Sequence, residues 1–299
     1  MSEGSPSFGV LTLATPGDYL KAIGLALSLR VSNPGVPIAV ACSPSVMPLV
    51  KPYFDVIIEE KAGLRGFVHK VHLDEYSPFG ETMFFDSDVL VFRPILPFVR
   101  SWGSGPYYAC GGYMTDGVSS FGLDRRAVLE KLNKPRLVVI DGAGHALFRQ
   151  PSCKAVFDFA RAVTQDYARY VGEQARYADE DVLSIVLTSL DLPPAPDHDY
   201  FHARYLSARP GTMTMDATAG ICTFIASDPK LNGKRIEPYA VHFADREAPI
   251  PYTRQLLGLF RKFGVPTDGL VKMGASDFYR GSIKNRLSRM RRQLAGGLT

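Results

Sequence analysis

The segment Phe84-Phe85-Asp86-Ser87-Asp88-Val89-Leu90-Val91-Phe92 sets two carboxylates side by side at the end of an apolar run. Charged groups are costly to bury unless they are paired or hold a metal. Two like charges this close raise each other's pKa unless a cation lies between them. A hard divalent ion such as Mn2+ or Mg2+ prefers carboxylate oxygens and keeps positions open for phosphate. The segment therefore reads as a metal–diphosphate site at the tip of a strand. The plainer alternative is a solvated turn that happens to carry two acids. Downstream, Asp179-Glu180-Asp181 opens an apolar stretch, and acids in a first helical turn suit the helix dipole.

These side chains need elements to hold them. Phe8 to Ala14 reads as a short strand, closed by Thr15-Pro16-Gly17-Asp18, with Asp18 as the cap of a helix from Tyr19 to about Arg30. Pro37 to Cys42 and Phe54 to Ile58 read as further strands, and Phe67 to Leu73 as a helix. Tyr107 to Cys110, Leu137 to Ile140 and Tyr239 to Phe243 read as strands, and Cys153 to about Val171 as one long amphipathic helix. Strands alternating with helices predict parallel βαβ units and a ligand crevice at the carboxyl ends of the strands. Asp191 to Gly220, rich in Pro, His, Asp and Tyr, reads as a long functional loop or lid.

A chain of 299 residues buries a full α/β core, and one elaborated domain is expected. The N-terminal Met-Ser-Glu-Gly-Ser-Pro-Ser lacks the basic region and apolar core of a signal peptide. No window approaches the roughly 18 consecutive apolar residues of a membrane span. Cys42, Cys110, Cys153 and Cys222 have no CxxC spacing and read as reduced thiols of a cytoplasmic protein. The net charge is +4, yet residues 281–299 hold five basic residues (Lys284, Arg286, Arg289, Arg291 and Arg292) and no acid. The tail thus carries the whole excess, the body is near neutral, and a broad nucleic-acid footprint is not expected. Ile283, Leu287, Met290 and Leu294 form one helical stripe flanked by those cations, as in helices that lie on anionic membranes. The alternative is a helix packed on its own domain or on a dimer partner. The division read from sequence is a body over 1–280 and a basic amphipathic tail over 281–299, with peripheral contact at the inner face of a membrane.

Leu13-Ala14-Thr15 followed by Tyr19, Lys70 upstream of the acidic segment, FFDSDVLVF, Asp179-Glu180-Asp181 and Val241-His242-Phe243 occur in that order. From about Phe8 to about Pro249 the chain resembles the retaining glycosyltransferases of family eight, the glycogenin and bacterial galactosyltransferase family. The resemblance implies an α/β fold, a Rossmann-like nucleotide-diphospho-sugar transferase domain with a mixed central sheet. It implies metal-dependent, retaining transfer of a hexose from a UDP-sugar to a glycan, a lipid-linked acceptor or a protein. Leu13, Ala14 and Thr15 would hold the nucleotide and Tyr19 would stack on uracil, a contact contributing about 1–3 kcal/mol. Lys70 would neutralise the phosphates or bind the sugar, unless it is a solvated helix lysine. Asp86, Asp88 and His242 would hold Mn2+ or Mg2+, with Ser87 among the donor-binding residues. The histidine lies on the face opposite Val241 and Phe243, and a satisfied structural role is its alternative.

Glu180 stands where the family usually has Gln, and the resemblance implies that it would lie beneath the anomeric carbon. A carboxylate there stabilises an oxocarbenium-like transition state or attacks covalently; otherwise Asp179, Glu180 and Asp181 together cap a helix. The chain departs from the family in two places. The usual Asn-Ser/Thr-Gly reads Asp141-Gly142-Ala143-Gly144, where Asp141 would accept sugar hydroxyls and Gly142 would let the backbone approach them closely. The Lys that follows the family's His-Phe motif is missing, and Arg246 would be its substitute at a shifted position. Two other functions compete: a haloacid-dehalogenase-like phosphatase, whose nucleophile strand also reads apolar-Asp-x-Asp, and a non-catalytic nucleotide-sugar-binding or membrane-docked scaffold.

Overall fold

The computed structural model describes residues 7–140, 144–172, 176–195, 200–244 and 248–279; Asp141, Gly142, Arg246 and the tail 281–299 lie outside the described residues. The chain divides into two compact units that alternate along the sequence. The first takes Met1–Thr15, Val36–Asp86 and Ile95–His198; the second takes Pro16–Gly35, Ser87–Pro94 and Asp199–Thr299. The division passes between Asp86 and Ser87.

In the first unit β1 (Phe8–Ala14), β2 (Ile38–Cys42), β3 (Val56–Glu59) and β4 (Glu81–Phe85) run parallel. After the acidic tripeptide, β5 (Val89–Val91) belongs to the second unit. β6 (Tyr107–Tyr108), β7 (Gly111–Met114), β8 (Leu137–Ile140) and β9 (His145–Arg149) return to the first. The main sheet has the order β3-β2-β1-β4-β9-β6. β9 is antiparallel to both of its neighbours, so the sheet is mixed. The segment alternation alone predicts parallel strands throughout. β9 escapes that reading because its apolar part, Ala146-Leu147-Phe148, is flanked by His145 and Arg149, and its direction is set by partners distant in sequence. β2 is buried at every position, as expected of a parallel strand covered on both faces. The close pass of β1 beside Phe79 requires Gly9, where a Cβ would meet the ring at 2.4 Å.

The helices Lys154–Gln165 and Asp179–Ser189 pack on each other and on the short helical turn Gly66–His72. Phe157 meets Phe148 edge-on at 5.1 Å and Tyr107 at 5.8 Å. Such pairs add about 0.5–1.5 kcal/mol beyond their buried area. The segment expected as one helix to Val171 is two, Lys154–Gln165 and Tyr167–Val171, because Asp166 leaves helical geometry at φ −118° and ψ 35°.

The second unit is assembled from distant segments. It holds the helix Tyr19–Ser32, β5, β10 (His202–Arg204), β11 (Thr214–Asp216), β12 (Ile221–Ile225), β13 (Arg235–Ile236), β14 (Ala240–His242) and the helices Pro249–Phe263 and Asp268–Phe278. β14 lies between β10, parallel to it, and β5, antiparallel to it; β11, β12 and β13 form an antiparallel meander. The expected loop from 191 to 220 therefore contains two strands, each too short to show a period in sequence. The helix Tyr19–Ser32 is buried along most of its length, in keeping with its apolar faces all round. Gly24 admits Leu256, whose Cδ2 would lie 2.1 Å from a Cβ. Lys21 is buried against Asp277 at 3.2 Å. The Ser28 hydroxyl oxygen accepts the Val91 N–H at 3.0 Å, and Asn33 donates to the Arg93 carbonyl at 3.1 Å, fastening helix to β5. Asp18 does not cap with its side chain: its carbonyl takes the N–H groups of Lys21 and Ala22, and its carboxylate accepts from the Ser87 hydroxyl at 3.3 Å.

Candidate active site

In the first unit β1 and β4 are parallel neighbours with Leu11 level with Phe84. The paired register ends there; Asp86 follows the end of β4, and Leu13, Ala14 and Thr15 lie at or just past the carboxyl end of β1, the edge where open α/β sheets bind their ligands. Phe84 and Phe85 are buried, and Asp86 emerges half-buried as β4 ends. Its N–H donates to the Gly144 carbonyl at 2.9 Å.

Lys70, from the turn Gly66–His72, is buried beside it. Its Nζ lies 2.8 and 2.9 Å from the two oxygens of Asp86 and 2.9 Å from Asp179 Oδ2. Hydrogen-bond geometry is met toward Asp86, whereas the approach to Asp179 is an ion pair. Burial alone pushes the ammonium down, but attraction by Asp179 and Asp86 outweighs it and holds Lys70 above the ordinary lysine range. This is not a solvated helix lysine. Its turn is braced by Arg161, which donates to the Val71 carbonyl at 2.9 Å and forks onto Asp74 at 2.8 and 3.2 Å.

The three acids of the second motif part company. Asp179 is buried against Lys70, and Glu180 is half-buried. Asp181 accepts from the Ser119 hydroxyl at 3.0 Å and the Tyr167 hydroxyl at 3.3 Å, and the Tyr167 oxygen also accepts the Ala178 N–H at 3.2 Å. Burial pushes the Asp181 carboxyl up, against the pull of those two hydroxyls. They do not form a shared cap: the N-cap residue is Ala178, with no side-chain cap bond.

In the second unit Asp88 precedes β5 and His242 ends β14, where the register sets His242 opposite Val89. His242 Nε2 lies 3.0 Å from Asp88 Oδ1, and the Phe243 N–H donates to the Asp88 carbonyl at 3.0 Å. The ring of His202 on β10 stands 5.4 Å from that of His242, tilted by 44°. No sequence motif marks His202; its signal is the pattern Phe201-His202-Ala203, a histidine between apolar neighbours as in Val241-His242-Phe243. Tyr19 begins the helix Tyr19–Ser32 half-buried, and Ser87 is tied to Asp18.

No protein-family model matches the sequence, and no curated protein does. The structure of the galactosyltransferase LgtC in complex with donor and acceptor sugar analogues matches with a TM-score of 0.54 at 13% identity, covering 91% of this chain and 99% of LgtC. This is a nucleotide-diphospho-sugar transferase fold. An LgtC active-site mutant with glutamate in place of glutamine matches at 0.55 and 13% identity, over 85% of this chain and 95% of that one. The bifunctional glycosyltransferase WbbM, solved without ligand, matches at 0.54 and 10% identity over 91% of this chain and 52% of WbbM. At these identities the likeness establishes the fold. The phosphatase alternative gains nothing from it.

Proposed function

We propose that this chain is a metal-dependent, retaining glycosyltransferase that moves a hexose from a UDP-sugar to a glycan, lipid-linked or protein acceptor. The observation that carries the reading is the approach of His242 Nε2 to Asp88 Oδ1 at 3.0 Å. It brings an imidazole from far along the chain to the second carboxylate of Asp86-Ser87-Asp88, on a fold shared with LgtC and WbbM.

Asp86, Asp88 and His242, all half-buried, are the ligand set that would hold the ion. Two carboxylates and an imidazole are donors that Mn2+ accepts well. A bound divalent ion would supply Lewis-acid stabilisation of the negative charge developing on the departing diphosphate. The remaining work falls to the protein. The carboxyl edge of β1, at Leu13, Ala14 and Thr15, receives the nucleotide, and Tyr19 offers a ring for the base. Lys70 fixes Asp86 and Asp179 relative to each other, so the acidic tripeptide and the helix bearing Glu180 share one anchor. Glu180 turns a carboxylate toward the sugar, either stabilising positive charge at the anomeric carbon or attacking it. Asp141 and Arg246 would contact sugar and phosphate, respectively. Among the described residues no helix is long and apolar enough to cross a membrane, and the basic stripe of 281–299 would supply peripheral docking.

The test is calorimetric titration of UDP with and without Mn2+. The wild type should bind UDP in a Mn2+-dependent manner, and Asp88→Asn should lose at least about 100-fold while its thermal unfolding stays close to wild type. Unchanged Mn2+-dependent affinity in the variant would sink the assignment.

A further inference from the structure

The second unit carries a basic cleft that takes no part in the chemistry above. It encloses about 330 Å³ and is lined by Arg93, Lys234, Arg235, Ile236 and Glu237. Arg93 lies just past β5, while Lys234 and Arg235 come from the turn and strand that pair β13 with β12. The Arg93 guanidinium is held in place: it stacks on the Tyr239 ring at 4.0 Å and donates through Nη1 to the Glu237 carbonyl at 2.7 Å. Stacking and one anchored nitrogen preorganise a planar fork, so less side-chain freedom is lost when it meets an anion. Arg209 adds a further cation nearby, its Nη2 3.7 Å from where a Cβ on Gly233 would stand. Among the described residues no ion pair neutralises Arg93, Lys234 or Arg235. The body of the chain is near neutral, so this is a local concentration of positive charge.

Two arginines and a lysine around one small cleft exceed what a single carboxylate would balance, and the arginine fork matches phosphate geometry. Glu237 adds an acceptor suited to a hydroxyl. We propose that the cleft binds the phosphate group of a phosphorylated sugar, as a second point of contact for the acceptor. Asp88 and Arg93 lie on either side of β5 (Val89–Val91), and five residues at strand rise span up to about 16 Å. One diphosphate cannot occupy both ends. The word acceptor rests on the transferase reading; the anion site does not.

Glucose 6-phosphate and glucose, titrated calorimetrically without divalent metal, test the site. The wild type should bind the phosphorylated sugar and not glucose. The exposed pair Lys234→Ala/Arg235→Ala should weaken that binding at least tenfold, whereas Asp88→Asn should leave it unchanged. Equal binding by the double variant and wild type, or equal binding of glucose and glucose 6-phosphate, would overturn the proposal. Phosphatidylglycerol vesicles, set against phosphatidylcholine vesicles, identify the source. Retention that falls in the double variant assigns a lipid-borne phosphate, and retention equal in both proteins, with the glucose 6-phosphate difference intact, assigns a soluble one. Mn2+-dependent UDP binding should survive in the double variant. Its absence from the wild type would defeat the transferase reading without touching the sugar-phosphate titration.

Discussion

The two acids of Asp86-Ser87-Asp88 live in contrasting surroundings. Asp86 meets a buried ammonium that also holds Asp179, in a unit whose strands run up to seven residues and whose buried hydrophobic residues form one cluster. Asp88 meets a half-buried histidine on strands of three residues. The first arrangement is braced, with one buried ammonium shared by two carboxylates. The second is open, because an imidazole and a carboxylate at a strand end can trade their mutual contact for a shared cation. A site that must stay rigid and still admit a ligand divides the tasks between neighbouring residues.

Removing the ammonium should break the braced side. Lys70→Met leaves Asp86 and Asp179 without their cation, and breaking a buried pair from one side costs about 3–5 kcal/mol. Urea unfolding should show that loss, well beyond the under about 1 kcal/mol expected for Asp88→Asn on the open side. Lys70 has a raised pKa in the fold, so its contribution is present in full below the ordinary lysine range and is lost only as pH climbs through the raised value. The gap between wild type and Lys70→Met should therefore hold level from pH 7 to pH 9. Equal costs for the two variants would erase the distinction.

A smaller effect sharpens it. Arg161→Gln removes the fork onto Asp74 and the bond to the Val71 carbonyl, and should cost about 1.5–3 kcal/mol. Hydrogen exchange should quicken in residues 66–76 while β14 keeps its protection. The smallest effect has the opposite sign. The Asp181 carboxyl is raised, so the fold favours its protonated form, and that contribution is lost as pH rises through the folded value. Asp181→Asn should be slightly more stable than wild type at pH 7, by under about 1 kcal/mol, with the difference vanishing near pH 3. A destabilised variant at neutral pH would show that the charged form is the one the helix start needs.

What could be read from sequence follows from how local each signal is. β2 is a continuous apolar run, β1 is interrupted only by Thr12, and β4 closes on Met83-Phe84-Phe85, with the carboxylates falling where it stops. β9, β10 and β11 are brief or flanked by charge, and their pairing is decided by partners far along the chain. Asp166 breaks a helix that amphipathic spacing alone would continue. The resemblance points Lys70 at the nucleotide phosphates or the sugar, and nothing near it in sequence points to Asp179. Asp18 had the right type and place for a cap, but Ser87 captured its carboxylate. The resemblance points to His242, whereas His202 repeats the same apolar–His–apolar pattern with no motif to mark it.

The alternation of segments between the two units constrains how the molecule is made. The helix Tyr19–Ser32 emerges early in synthesis, yet Leu256, which fills the space above Gly24, emerges more than two hundred residues later. Until then an apolar helix has no completed nest, and its closing contacts are among the most distant in the chain, the kind that slow folding. Nascent chains stalled before Pro249–Phe263 should therefore recruit chaperones through their beginning rather than their end.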